Sequence, residues 1–495
     1  MQRSAQAAPE RARLRRFAPP RSLAALLAIV VGLGLVWSLT VPPFQSPDEL
    51  AHFAYAQGLA ESFRLPGNPG RLGASSDESL ADGSVGASRG AFWPQASPPD
   101  WNRADYAAYL AIEDSAHRPI TDNGSGPSSA DGNPPLYYLY AAAAYLIDHG
   151  GTAFGRLYAM RIAGVLLLAL TTLGAWLLAG EVFARRRLPQ LTAAAVAGLM
   201  PMVTFMSTSV NPDAMLITVW TLDLWLGARV INHRARDRDV IAIGALTAVA
   251  ILTKATSYAL VAPVLLAVLC GWLRRPAPER RSALAALVGG GVLLAAPVLG
   301  WVAIAPSLGG TGITTVANSA AHPFTARRFL SYVWQFYLPR LPFMAPQRTT
   351  PGLPAYDIWL RQGAGTFGWL DVTLPGWMYH AAAWLAGVIA VAGIALVTRL
   401  RNRRHLALLG FFALTLIALL GLLHITEYRA LLLGEGQFLQ GRYLLPVVGL
   451  LGLAFGLIVA RIPGRARIWV CSLTITALLA VQVISLATIV QAYYL

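Results

Sequence analysis

Apolar residues fall into long runs along the chain. Most runs are close to or above the roughly 20 residues that a helix needs to cross a bilayer. They predict spanning helices over 22–41, 157–183, 190–210, 213–231, 239–254, 256–273, 281–305, 377–398, 405–424, 443–460 and 467–490. One further run, over 135–147, is closed by Asp148-His149-Gly150-Gly151 and holds only about 13 apolar residues, too few to span. Its tyrosines (137, 138, 140 and 145) suit a helix lying in the membrane interface. Polar residues gather in 42–156, 306–376 and 425–442. Within the first of these, 64–134 is rich in Gly, Ser, Pro and Asp and reads as loop with short helices, Trp93 and Trp101 being candidate interfacial anchors.

Composition agrees with the pattern. The 495 residues are 56% hydrophobic and 13% charged, with a mean hydropathy of +0.52, too apolar for a soluble protein. The fold class is an all-α polytopic membrane protein with about eleven transmembrane helices. A net charge of +15 could suggest nucleic acid, but its distribution points to topology. Arginines cluster around 185–187, 234–238, 274–281, 399–404 and 461–467, between alternate runs, as on a cytoplasmic face. Had 135–147 crossed, those clusters would face outward. The charge pattern thus gives a basic cytoplasmic tail over 1–21 and a seven-span module over 22–305. An extracytoplasmic loop over 306–376 and a four-span module over 377–495 follow. Cys270 and Cys471 both lie in apolar runs and build neither a disulfide framework nor a cysteine metal site.

Candidate chemistry converges on the outer face. Ser46-Pro47-Asp48-Glu49 reads as a capping box with Ser46 as N-cap, and it places two carboxylates side by side with His52 one turn beyond Asp48. Asn211-Pro212-Asp213 sits at the outer junction of two runs, so Asp48 and Asp213 share a membrane level. They could divide base and orienting roles or hold a divalent cation such as Mg or Mn. Lys254, the only lysine in the chain, and Arg442 in Gln437-Phe438-Leu439-Gln440-Gly441-Arg442-Tyr443 reach the same level. Compact and planar cations there suit a lipid-linked phosphate, although lipid headgroups or snorkelling would also account for them. Asp223 and Glu181 lie away from that face, His117, His322, His380 and His424 show no ligand spacing, and Gly289-Gly290-Gly291 reads as close helix packing. The sequence has no GxxxxGK[ST] loop, no GxGxxG after a strand and no HExxH, so a soluble cytoplasmic nucleotide donor is not indicated.

Residues 42–49 with His52-Phe53, Asn133-Pro134-Pro135-Leu136-Tyr137-Tyr138, Asn211-Pro212-Asp213 and Gln440-Gly441-Arg442-Tyr443 together resemble the bacterial membrane family called "domain of unknown function 2142". That family looks like the GT-C superfamily of glycosyltransferases, among them protein O-mannosyltransferases and the lipid A aminoarabinose transferase. The resemblance implies a GT-C-like bundle with juxtamembrane helices in the first outer loop. It also implies a polyprenyl-phosphate sugar donor and an extracytoplasmic acceptor (glycan, lipid or protein) at the bacterial cytoplasmic membrane. Asp48 or Glu49 would be the first-loop acid and Asp213 the second, with His52, Tyr137, Lys254, Gln440, Arg442 and Tyr443 around the substrates. The expected reaction is inverting transfer, with a carboxylate as general base. The rival expectation is a transporter or flippase that uses the same outward cavity without bond cleavage.

Overall fold

A computed structural model describes residues 20–63, 65, 103–104, 107, 111, 130, 132–305, 324–346, 353–397, 402–434 and 436–495. Trp93, Trp101, His117, His322 and nearly all of the basic tail lie outside the described residues. The helices are α1 (Arg21–Thr40), α2 (Glu49–Ser62), α3 (Leu136–Tyr145), α4 (Ala153–Val182), α5 (Arg187–Leu199), α6 (Pro201–Ser207), α7 (Asp213–Asn232) and α8 (Asp237–Thr253). They continue with α9 (Val261–Leu273), α10 (Leu284–Ile304), α11 (Ala326–Tyr337), α12 (Gly376–Val397), α13 (Arg403–Leu433), α14 (Val448–Arg461) and α15 (Ala466–Tyr494). A two-stranded antiparallel ribbon, β1 (Thr366–Phe367) with β2 (Val372–Thr373), is the sole sheet among the described residues. Phe367 from it packs on Trp37 and Phe205, with ring centroids 5.2 and 5.5 Å away.

Among the described residues, nine helices are long and apolar enough to cross a membrane, or up to ten if a bent pair is one span. Two departures from the expected eleven have physical causes. The 190–210 run is not straight: α5 and α6 meet at 56°. Pro201 opens α6, and Met200 before it takes an extended ψ of 121°, because proline disfavours helical backbone in its predecessor. The 239–254 run forms α8, whose 17 residues reach only about 25 Å. Elsewhere α13 runs on to Leu433, well past the expected end at 424, and stops at Gly434 in a left-handed conformation (φ 78°).

The short run after Pro135 forms α3, a ten-residue helix followed by the 3-10 turn Leu146–Asp148, and packs on α2 and α4. Of the glycine triplet only Gly290 serves close packing: α10 lies on α8 where a Cβ at Gly290 would come within 2.8 Å of the Val240 carbonyl oxygen, whereas Gly291 faces open space. The arginine-rich helix ends gather at one end of the bundle. There Arg229 pairs with Asp239 at 3.0 Å and Glu181 at 3.5 Å, and Arg404 donates to Asn232 at 2.6 Å. The loop from α1 to α2, the N-terminus of α7 and the C-terminus of α8 meet at the other end.

Candidate active site

Residues 41–48 join α1 to α2, and the prolines at 42, 43 and 47 each fix one backbone angle and withhold one donor. Phe44 (φ 61°) and Asp48 (φ 59°) both adopt left-handed backbone, a conformation that costs a non-glycine residue on the order of 1 kcal/mol or more. The helix begins at Glu49 with Asp48 as its cap, and no side chain caps it. Ser46 is therefore not the N-cap and no capping box forms. The two carboxylates meant for the helix end are drawn to arginines instead.

Glu49 is bound by Arg161 of α4, and neither side chain is exposed. Arg161 Nε donates to Glu49 Oε1 at 2.8 Å and Nη2 donates to Oε2, a bidentate pair. The same guanidinium donates to the carbonyls of Val41 at 2.6 Å and Pro42 at 3.0 Å. Glu49 also accepts the backbone N–H groups of Phe44 at 3.1 Å and Val210 at 3.0 Å. Sequence reasoning placed Glu49 among the candidate bases, but this closed network gives it an architectural place. Arg161 was not singled out at all. The available signal was an arginine deep in an apolar run, which needs a buried acid.

Asp48 points the other way. Its Oδ2 accepts Arg442 Nη2 at 2.6 Å, and its side chain stays 31% exposed. Burial pushes its carboxyl pKa up, but the charge of Arg442 leads the opposing effects and holds it below the usual range. Asp213, at the start of α7, accepts Lys254 Nζ at 2.5 Å on Oδ1. Its Oδ2 faces Arg442 Nε across 3.8 Å, and neither atom has a hydrogen-bond partner among the described residues. The Tyr443 ring holds both cations, with Lys254 Nζ 5.2 Å and Arg442 Cζ 5.4 Å from its centroid. Asp48, Asp213, Lys254, Arg442 and Tyr443 thus form one cluster whose two acids and two cations cancel in charge. Asn211 ties it to the loop, donating from Nδ2 to the Pro47 carbonyl at 3.1 Å and accepting the Asp213 N–H at 3.0 Å.

His52 is buried on α2 beside Tyr138, with Nδ1 2.8 Å from the hydroxyl. Burial, opposed by Asp48, pushes its pKa down to about 3, so it is a neutral imidazole near pH 7. Tyr137 is buried next to Asn211, and burial pushes its hydroxyl pKa upward. Gln440 precedes Gly441, whose N–H donates to Gln362 Oε1 at 2.9 Å, and a Cβ at Gly441 would run into the backbone of Ile358 and Gly363. The side-chain oxygens of Gln440 and of Gln45, which lies in the 42–49 motif but had no role assigned to it, are buried without a partner among the described residues.

Behind Gln440 lies a second network that sequence spacing did not suggest. Trp359 Nε1 donates to the Tyr337 hydroxyl at 3.1 Å, which lies 2.8 Å from His424 Nε2. His424 Nδ1 is 3.1 Å from the Tyr332 hydroxyl, which donates to Glu427 Oε2. Glu427 Oε1 accepts the Leu439 N–H at 3.1 Å. With a neutral imidazole the order consistent with these contacts has Tyr337 donating to Nε2 and Nδ1–H donating to Tyr332. The network joins α11, α13 and the π-helical turn Tyr356–Gln362 to the segment that carries Arg442. From the same loop, Trp369 Nε1 donates to the Phe44 carbonyl at 3.2 Å.

As arranged, the acids do not fit a resident divalent ion. Among the described residues no three His, Cys, Asp or Glu side chains gather as ligands, and Lys254 and Arg442 sit where an ion bridging Asp48 and Asp213 would lie.

A family model described as "Predicted membrane protein (DUF2142)" matches residues 31–451. No curated protein matches the chain. Among solved structures, it is similar to ArnT from Cupriavidus metallidurans in the apo state, with 17% identity and a TM-score of 0.40 over 83% of this chain and 58% of that one. The same protein bound to undecaprenyl phosphate gives 14% identity and a TM-score of 0.42 over 96% of this chain and 76% of that one. The oligosaccharyltransferase of Archaeoglobus fulgidus, in the apo form, gives 14% identity and a TM-score of 0.45 over 95% of this chain and 56% of that one. The chain thus spans little more than half the length of the apo ArnT and oligosaccharyltransferase chains.

Proposed function

The chain belongs to the DUF2142 family of membrane proteins, and from that premise we propose that it is an inverting membrane glycosyltransferase. The donor is a polyprenyl-phosphate-linked sugar and the acceptor a hydroxyl group of an envelope glycan, lipid or protein. The observation that carries the reading is the cluster itself: two carboxylates and two cations held around one tyrosine ring, where base and phosphate sites are needed together. The arginine-rich end of the bundle is the cytoplasmic one by the charge rule, which supports an extracytoplasmic position for the cluster at the bacterial plasma membrane.

The pairs seen here are the resting state. An arginine-bound carboxylate with a depressed pKa is a poor base, since a base works best with a pKa near the operating pH. The donor phosphate offers Arg442 and Lys254 a better partner, because guanidinium binds phosphate oxygens bidentately. Drawing Arg442 away frees Asp48 and lets burial raise its pKa. Asp48 then takes the acceptor hydroxyl proton as the acceptor oxygen bonds to the anomeric carbon. The bond from that carbon to the phosphate oxygen breaks, and the electron pair leaves on polyprenyl phosphate, whose charge Arg442 and Lys254 offset. Asp213 holds Lys254 in place, and His52 orients the acceptor as a neutral imidazole.

The test supplies membranes with a panel of labelled polyprenyl-phosphate sugars and measures release of polyprenyl phosphate. Wild type should release it, and Asp48→Asn should lower the rate by roughly 10²–10⁴. Asp213→Asn should also lower it. Wild-type release by both variants would overturn the assignment. Movement of intact lipid-linked sugar without cleavage would favour the transporter reading.

A further inference from the structure

Two cavities open on the arginine-rich end of the bundle, far along the spans from the acid–base cluster. One, of about 560 Å³, lies between the C-terminal end of α4, α13 and α14, with Phe412 and Leu453 in its wall. The other, of about 530 Å³, lies between α12 and α14. They share Ala454, Leu457 and Arg461, so they are adjoining troughs parted by one ridge of α14. Both are apolar, and polar atoms enter chiefly at the rim of the first, where Arg186, His405 and Arg461 stand.

Arg229 is engaged by Asp239 and Glu181, Arg275 by Asp237 at 2.7 Å, and Arg404 by Asn232. Arg186, His405 and Arg461 are exposed, and no ion pair is found for them among the described residues. Other arginines at this end, among them Arg185, Arg187, Arg403 and Arg465, are also exposed with no ion pair among the described residues. What sets Arg186 and Arg461 apart is that they line the troughs. Unspent positive charge thus stands over two apolar troughs at the edge of the spanning region. A free anion would have no use for the apolar walls, and a zwitterionic headgroup would bring no net charge to balance the rim.

We infer that this end of the bundle holds a binding site for an anionic diacyl phospholipid. Its headgroup phosphate lies among Arg186, His405 and Arg461, and one acyl chain lies on each side of Leu457. The site is independent of the proposed transfer reaction and needs no substrate to be tested.

The experiment titrates the full-length protein in detergent micelles with phosphatidylglycerol or phosphatidylcholine of matched chains and counts bound lipid by native mass spectrometry. Wild type should retain phosphatidylglycerol preferentially. The double variant Arg186→Gln/Arg461→Gln, both changes at exposed positions, should bind it roughly 30-fold more weakly, at ~1 kcal/mol for each arginine. Ala454→Trp fills the troughs without touching the charge and should also abolish the preference. Equal retention of the two lipids by wild type would overturn the site. So would undiminished phosphatidylglycerol binding by the double variant, or displacement of the lipid by millimolar inorganic phosphate.

Discussion

Asp48 and Glu49 are neighbours in sequence and opposites in structure. Glu49 meets Arg161 in a closed setting where the carboxylate and most of the guanidinium donors have partners and no side-chain surface reaches solvent. Asp48 meets Arg442 in an open one, with its own side chain 31% exposed and Arg442 Nε and Asp213 Oδ2 left facing each other unbonded. Breaking a closed buried pair leaves a buried charge with nowhere to go, whereas an open pair can trade one partner for another. One pair anchors the loop over 41–48, and the other is available for chemistry.

The largest expected effect tests the closed pair. Arg161→Met strands Glu49 and should cost about 3–5 kcal/mol of stability, read as thermal unfolding in detergent. If it costs no more than Arg442→Met, the distinction between the two pairs collapses. Next comes pH. The unfolded chain protonates His52 below about 6.5, whereas the folded one keeps it neutral down to about 3. Stability should therefore fall by about 1.4 kcal/mol per unit as pH drops through that window, and be fully present above it. His52→Gln should flatten the slope, and an unchanged slope would mean that the imidazole is not shielded as described. Gly441→Ala should cost about 1–3 kcal/mol by pushing the 3-10 helix Gly441–Val447, which carries Arg442, off residues 358–363, seen as a lower unfolding midpoint. The smallest effect sharpens the open pair: Asp48→Asn should change stability by less than about 1 kcal/mol while transfer falls steeply. A stability loss as large as that of Arg161→Met would make Asp48 another anchor.

Sequence pattern reached most of the spans, the short α3 and the convergence of Asp48, Asp213, Lys254 and Arg442, because each follows from run length and alternation of charge. It missed what depends on partners distant in the chain. Arg161 looks like one polar residue in a long apolar run, and only the fold brings it to Glu49, 112 residues away. Capping rules read Ser46 and Glu49 as a local pair for the same reason, since they cannot weigh a buried guanidinium against a backbone N–H. α13 runs past its expected end with Glu427 buried inside it, where Tyr332 and the Leu439 N–H satisfy the carboxylate, so a polar residue did not mark a terminus.

The chain of hydrogen bonds from Trp359 to Glu427 has a direction. An indole N–H can only give and an ionised carboxylate can only receive, so with a neutral imidazole between those ends the hydroxyls and ring nitrogens have one permitted orientation. A relay with interchangeable ends would have two mirror orderings and could hop between them. This one has a single ordering, so its residues act as a latch with one closed position, and the segment leading to Arg442 inherits that single setting.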